Sequence, residues 1–156
     1  MTAHLCLGAN LGDPADQIET AVQHLRDSGI RILRRSSLIS TKPYGLQDQP
    51  DYLNQVVEVR CDLSPRELLR KIQDAEASMG RIRTLRWGPR LIDIDILLCE
   101  DQIVEEADLV VPHPDFTNRI FAMQLLDELV PDMYHPVLKK TIHDIFESLK
   151  RSGGTA

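Results

Sequence analysis

Disulfide chemistry, membrane insertion and nucleic-acid affinity all lack material in this chain. Cys6, Cys61 and Cys99 are odd in number and widely spaced, with no CxxC pair and no zinc spacing. That usage fits a reducing compartment, the cytoplasm. No apolar run approaches the ~20 residues that span a bilayer. Met1-Thr2-Ala3-His4 lacks a basic n-region, so neither a secretory signal nor a membrane partner is expected. Acidic residues outnumber basic ones 24 to 18, and the net charge of −6 argues against nucleic-acid binding. Nucleotide-loop signatures are missing too. Gly8-Ala9-Asn10-Leu11-Gly12 has neither the Gly-Lys-Ser/Thr end of a Walker A loop nor the GxGxxG spacing. It reads as a strand-to-helix turn, with backbone contacts to a ligand left open. Internal repeats and low-complexity segments are absent. What remains is an ordinary globular composition, 42% hydrophobic and 27% charged over 156 residues, expected to form one domain, 1–156, around one core.

Residues 3–8 read as a strand. Asp13 and Pro14 then supply an N-cap and a first helical position, and Ile18, Ala21, Val22 and Leu25 repeat at helical spacing to about Asp27. A strand is predicted over about Ile30 to Ser40, then a long Pro/Gly loop at 41–51, of the length that is often functional. Tyr52 to Cys61 is the next strand. Ser64-Pro65-Arg66-Glu67 is a capping box opening a second helix, with Leu68, Ile72, Ala75 and Met79 on one face and Gly80 as its stop. A strand at about 92–98, a short strand near 102–104 and helices at about 119–129 and 141–150 complete the reading, with a frayed polar tail from Arg151. The order βαββαβ predicts an α+β, ferredoxin-like sandwich: an antiparallel sheet with helices on one face, plus C-terminal helices, and a site built by loops on the open side.

Chemistry concentrates between Arg81 and Leu98. Asp93 and Asp95 alternate with Ile92, Ile94 and Ile96, so both carboxylates point to one face, with Cβ atoms about 7 Å apart. That gap suits hard cations bridged by phosphate oxygens. The apolar run Ile92 to Leu98 reads as a central strand, where carboxylates are costly without partners. Just upstream, Arg81, Arg83, Arg86 and Arg90 offer guanidinium forks for phosphate, and local cationic density is an exception in an acidic chain. Trp87, the sole Trp, sits in this Gly/Pro loop and either packs in the core or covers a lid. Val111-Pro112-His113-Pro114 and Asn118-Arg119-Ile120-Phe121 form a second dense segment. In it, His113 and Arg119 could touch phosphates, or the segment could be a capped helix start with Phe121 in the core. Aromatics make up only 4% of residues, so Tyr52 beside the donor–acceptor amide of Asn54 suggests a slot for a flat heterocycle.

Together these segments resemble the 6-hydroxymethyl-7,8-dihydropterin pyrophosphokinase family of folate biosynthesis. The likeness runs from Leu7-Gly8-Ala9-Asn10-Leu11-Gly12 through Gln47 to Asn54, Gly80-Arg81, Arg86-Trp87-Gly88-Pro89-Arg90, Asp93-Ile94-Asp95 and Val111-Pro112-His113 to Arg119 and Phe121. The resemblance implies transfer of pyrophosphate from ATP to the pterin hydroxymethyl group with release of AMP. It further implies two Mg²⁺ ions held by Asp93 and Asp95, and catalytic roles for Arg81, Arg90, Asp93 and Asp95. Tyr52 and Phe121 would sandwich the pterin, Asn54 would bond its edge, and Thr41, Pro43 and Tyr44 would complete the slot. On the ATP side the resemblance places Gln73, Glu76, Arg83, Arg86, Trp87, Arg90, Ile96, His113 and Arg119. Asp108 and Val110 depart from an arginine and a threonine, Pro114 from a tyrosine and Thr84 from a lysine, which affects the finer ATP contacts. Other readings are another Mg²⁺-dependent phosphoryl or nucleotidyl transferase, or a non-enzymatic ligand-binding module. A monomer is expected.

Overall fold

The computed structural model describes residues 1–42, 48–80 and 92–153. Its elements are β1 (Thr2–Ala9), α1 (Pro14–Asp27), β2 (Arg31–Arg35), β3 (Ile39–Thr41), β4 (Tyr52–Arg60), α2 (Pro65–Ser78), β5 (Asp93–Cys99), β6 (Val104–Glu106), β7 (Leu109–Val111), a 3₁₀ turn at Phe116–Asn118, α3 (Ile120–Leu129) and α4 (Ile142–Arg151). The main sheet runs β2-β4-β1-β5, every neighbouring pair antiparallel, with β3 also pairing with β4. This is the ferredoxin-like arrangement expected from the βαββαβ order. Both sheet-packing helices begin where side-chain chemistry dictates. The Asp13 carboxylate accepts from Asp16 N at 3.2 Å, and Ser64 and Glu67 close a reciprocal capping box.

Alternation along the strands divides the interior in two. Leu5 and Leu7 of β1, Val57 and Val59 of β4, and Ile94 and Ile96 of β5 pack with Ile18, Val22, Leu25, Leu68 and Ile72 of α1 and α2. On the other face Cys6, Val56, Leu97 and Leu98 pack with Phe116, Met123, Leu126 and Ile145 of the C-terminal segment. The C-terminal helices, whose placement the element order left open, therefore cover part of the face opposite α1 and α2.

Three strand readings change. The 92–98 strand is not central: among the described residues β5 ends the sheet. Its apolar run reflects cover on both faces, while its outer edge is engaged by other means. His113 N donates to Leu97 O at 3.0 Å, and Ile94 N donates to the Glu76 carboxylate at 3.0 Å. The expected 30–40 strand is interrupted at Ser36. There the hydroxyl accepts from Val56 N at 2.9 Å, so a side chain replaces a rung of the main-chain ladder. The short strand near 102–104 lies at 104–106 and pairs with β7, which the sequence reading did not include.

A register shift in β5 has a consequence for the site. His4 pairs with Leu98 but Leu5 pairs with Ile96, leaving Leu97 as an extra residue. The bulge lets Leu97 and Leu98 both face α3, while Asp93 and Asp95 keep the alternation that sets them on that same face.

Candidate active site

At one end of the sheet a single row crosses three strands: Asn54 of β4 pairs with Gly8 of β1, and Gly8 pairs with Asp93 of β5. With strands about 4.8 Å apart, the Asn54 and Asp93 backbones stand about 10 Å apart across a residue without a side chain. One step inward the row is Val56, Cys6 and Asp95. Asp93 is half-buried and Asp95 exposed, whereas Ile94 between them is buried against the opposite face. The expectation of two carboxylates on one face, separated from the apolar set, is met.

Electrostatics gathers the other charged residues here. The charge of Asp95 acts on the His113 ring, with Arg119 opposing it, although burial is the larger influence and holds His113 below the usual imidazole value. Cys6 responds to the same groups. Its thiol is pushed up to about 12, first by burial and then by Asp95, with Arg119 opposing and Asp93 adding. Asp93, Asp95, His113 and Arg119 thus share one neighbourhood although they are spread over 27 residues of sequence. Asp115 N donates to His113 Nδ1 at 3.1 Å, which makes Nδ1 the acceptor and leaves the proton of the neutral ring on Nε2, a donor suited to a phosphate oxygen.

The aromatic and amide residues lie on the same face. Tyr52 and Asn54 alternate with Leu53, and Phe121, in the first turn of α3, packs half-buried against the α3-side cluster. Asn54 Nδ2 donates to Thr41 Oγ1 at 2.8 Å and reaches Ile39 O at 3.5 Å, which ties Thr41 to the slot. Sequence reasoning missed Asn10. Its amide is 1% exposed and donates to Gln49 Oε1 at 3.0 Å and to Pro50 O at 2.9 Å. It pins the segment preceding Tyr52 to the end of β1. The available signal was an amide directly after a strand that ends in a glycine-bearing turn.

Among the residues expected on the ATP side, Gln73 is exposed on α2 and Glu76 is buried beneath β5. Ile96 has its side chain in the core, so it can offer a nucleotide only its main chain. Asp108, at a position noted as a departure, accepts from Arg66 Nη1 at 2.8 Å, and Arg66 also pairs with Glu106. Glu106 and Asp108 of the β6–β7 hairpin are thereby committed to the first turn of α2. Pro43, Tyr44, Arg81, Arg83, Thr84, Arg86, Trp87 and Arg90 lie outside the described residues.

Among the described residues, no group of three or more His, Cys, Asp and Glu side chains could hold a metal ion. The donor set here is two carboxylates, and that fits Mg²⁺. Such a hard cation takes oxygen ligands and commonly keeps one or two carboxylates while phosphate and water complete the shell.

The fold and this site define a class: a ferredoxin-like α+β domain with paired carboxylates, cationic side chains and an aromatic–amide slot at one end of its sheet. Residues 4–131 match the family model of 7,8-dihydro-6-hydroxymethylpterin-pyrophosphokinase (HPPK), and the chain belongs to that family. It is 39% identical to the 2-amino-4-hydroxy-6-hydroxymethyldihydropteridine pyrophosphokinase of Haemophilus influenzae, across 87% of this chain and 86% of the relative. With the Methylorubrum extorquens protein of the same name it shares 40% identity, across 97% of this chain and 95% of the relative. It is also 40% identical to the folic acid synthesis protein fol1 of Schizosaccharomyces pombe, but spans only 21% of that protein. In fold it is similar to Plasmodium falciparum HPPK-DHPS crystallised with pteroate, with a TM-score of 0.75 over 94% of this chain, 42% of that chain and 18% identity.

Proposed function

We infer that this chain transfers pyrophosphate from ATP to the hydroxymethyl group of 6-hydroxymethyl-7,8-dihydropterin, releasing AMP, as a folate-biosynthetic diphosphokinase. The observation that carries the reading is the Asn54–Gly8–Asp93 row. It sets the Asn54 amide and the Asp93 carboxylate on one face, about 10 Å apart by strand spacing. That span lets a bicyclic ring at Asn54 direct a one-carbon arm towards Asp93.

In this reading Tyr52 and Phe121 stack on the pterin, Asn54 bonds its edge, and Thr41, Pro43 and Tyr44 close the slot. Offset stacking adds about 0.5–1.5 kcal/mol beyond area burial. Asp93 and Asp95 would hold two Mg²⁺ ions, which when bound would supply Lewis acidity to the triphosphate and its acceptor. Transfer between oxygens needs alignment and charge neutralisation more than covalent help. The hydroxyl of the pterin arm attacks the β-phosphorus of ATP and gives up its proton to solvent, and the bond from that phosphorus to the α,β-bridging oxygen breaks to leave AMP. Arg81 and Arg90 stabilise charge on the bridging and transferred oxygens. Gln73, Glu76, Arg83, Arg86, Trp87, Ile96, His113 and Arg119 serve the nucleotide side. His113 and Arg119 are favoured by their electrostatic proximity to Asp95.

We further propose that residues 1–156 act as a single, monomeric domain in the cytoplasm, with no nucleic-acid or membrane partner. Among the described residues no helix is long and apolar enough to cross a membrane. The test is AMP formation. AMP is expected only when ATP, 6-hydroxymethyl-7,8-dihydropterin and Mg²⁺ are all present. ADP or free pyrophosphate as the product overturns the reading.

A further inference from the structure

Gly8 is the least explained member of the central row. It sits inside β1, where glycine weakens a strand and commonly marks a close approach. Its φ is not in the left-handed region, so conformational freedom does not explain it. Space does. A Cβ built on Gly8 would lie 2.9 Å from Asn54 Oδ1, closer than carbon and oxygen tolerate without hydrogen bonding, and 3.8 Å from Tyr52 Cδ1. The two residues are cross-strand partners, so the approach is built into the register.

Asn54 has little room to yield. Its Nδ2 is held on the β3 side by Thr41 Oγ1 at 2.8 Å. Swinging the amide away from β1 would stretch or break that bond. The carboxamide is therefore fixed from two directions: the donor end by Thr41, the acceptor end by the missing methyl at Gly8. Among the described residues Oδ1 accepts no hydrogen bond, so it is presented over Gly8 as an acceptor for a ligand.

We propose that Gly8 is a specificity-determining positioning residue, acting through Asn54. By leaving space for Oδ1 it orients the amide so that the slot accepts the donor edge of a nitrogen heterocycle, with the ring lying over β1 towards Asp93. The proposal rests on the pterin reading above and adds the residue that sets which ring edge is recognised.

The experiment is a double-mutant cycle on the full chain, with Gly8→Ala, Asn54→Ala and the double variant. Binding of 6-hydroxymethyl-7,8-dihydropterin and of ATP with Mg²⁺ is measured by calorimetry. Gly8→Ala is expected to weaken pterin binding about 10–100-fold, the range for leaving buried polar partners unpaired, with ATP affinity unchanged within about twofold. In the Asn54→Ala background the same substitution is expected to change pterin affinity by less than about twofold, because the atom it displaces is gone. Equal losses in both backgrounds, or an unchanged single variant, overturn the proposal. Should Gly8→Ala fail to fold, the double variant must fold and match Asn54→Ala. If it also fails to fold, the constraint on Gly8 is not Asn54 Oδ1 and the proposal falls. A wild-type chain that binds no pterin refutes the functional reading itself, separately from any outcome of the cycle.

Discussion

Glu76 makes the sharpest test of how the carboxylate pair is held in place. It falls on the apolar stripe of α2, four residues after Ile72, and is only 9% exposed. Its carboxylate accepts the main-chain N–H of Ile94, the residue between Asp93 and Asp95, at 3.0 Å. This is a charge-assisted bond to the outer edge of β5, where no further strand among the described residues supplies an acceptor. Glu76→Ala would leave that buried N–H unpaired, a loss of about 1–3 kcal/mol. Against a typical domain stability of about 5–15 kcal/mol that is a large fraction. Glu76→Gln keeps an oxygen acceptor but removes its charge. Charge-assisted bonds are about twice as strong as neutral ones, so a loss of about 0.5–1.5 kcal/mol is expected.

Urea denaturation without any ligand separates this role from nucleotide contact. If Glu76 braces β5, the ligand-free protein loses stability in the order Ala, then Gln, then wild type. Mg²⁺-dependent binding weakens in the same order because both aspartates sit on the loosened strand. If ligand-free stability stays within about 0.5 kcal/mol of wild type, the ordinary surface range, while ATP affinity falls, Glu76 is a nucleotide contact alone and the bracing argument is refuted.

Asp95→Ala is expected to reduce pyrophosphoryl transfer at least ~100-fold with a native circular-dichroism spectrum; full activity in Mg²⁺ would remove the metal assignment. Arg81→Ala should lower kcat by about 10²–10³ while pterin affinity holds, and a change confined to KM would make Arg81 a uniform-binding residue. Acid should destabilise the fold in two steps set by the buried His4–Glu58 pair, joined at 2.9 Å. Burial dominates at His4 and holds its value below 6.5, so the unfolded chain binds the proton more readily; this stability is complete above 6.5 and is lost as pH falls through the folded value. Bonds first from Arg34 and then from His4 hold Glu58 below 4.5, and its contribution is lost at lower pH still. His4→Gln should shrink the upper step in denaturation midpoints followed from about pH 7.5 to pH 5, leaving the share that burial of His113 and His135 contributes in the same direction, and an undiminished step would place its origin elsewhere.

The helices were legible because their signals are local. Pro14 and Pro65 sit in first turns, Asp13 and Ser64 cap, and Ile18, Val22 and Leu25 or Leu68 and Ile72 define the buried stripes. The acids at 93 and 95 were legible because strand alternation is local too. Edge position was not. An unbroken apolar run such as Ile96-Leu97-Leu98 reports that both faces are covered, and coverage of faces says nothing about pairing of edges. The Leu97 bulge was also hidden, since a displaced leucine among leucines leaves no break in the hydrophobic pattern. The same holds for Arg34. A register shift beside Leu33 sets Arg34 opposite Glu58, where it forms a bidentate pair with both bonds at 3.0 Å. Glu76 did leave a trace, a carboxylate at helical spacing within an apolar stripe, and that exception identifies the brace.

Seen along β1, the α3-side face changes character every two residues. Gly8 lies between Asn54 and Asp93, Cys6 between Val56 and Asp95, and His4 between Glu58 and Leu98. The first row is polar, the second half apolar, and the third buries the hydrogen-bonded His4–Glu58 pair beside leucine. The third row is where packing by the C-terminal segment and the Arg34–Glu58–His4 chain make the sheet hard to shear. A site that must align two substrates across three strands needs that rigidity at its far end, because a slip between β1 and β4 would displace Asn54 relative to Asp93. Nearly the whole length of the Methylorubrum extorquens relative, and only a fifth of fol1, matches this chain. All three rows, with the Glu76 brace, fall within residues 4–131. The rows proposed to align the two substrates are therefore internal to the family segment.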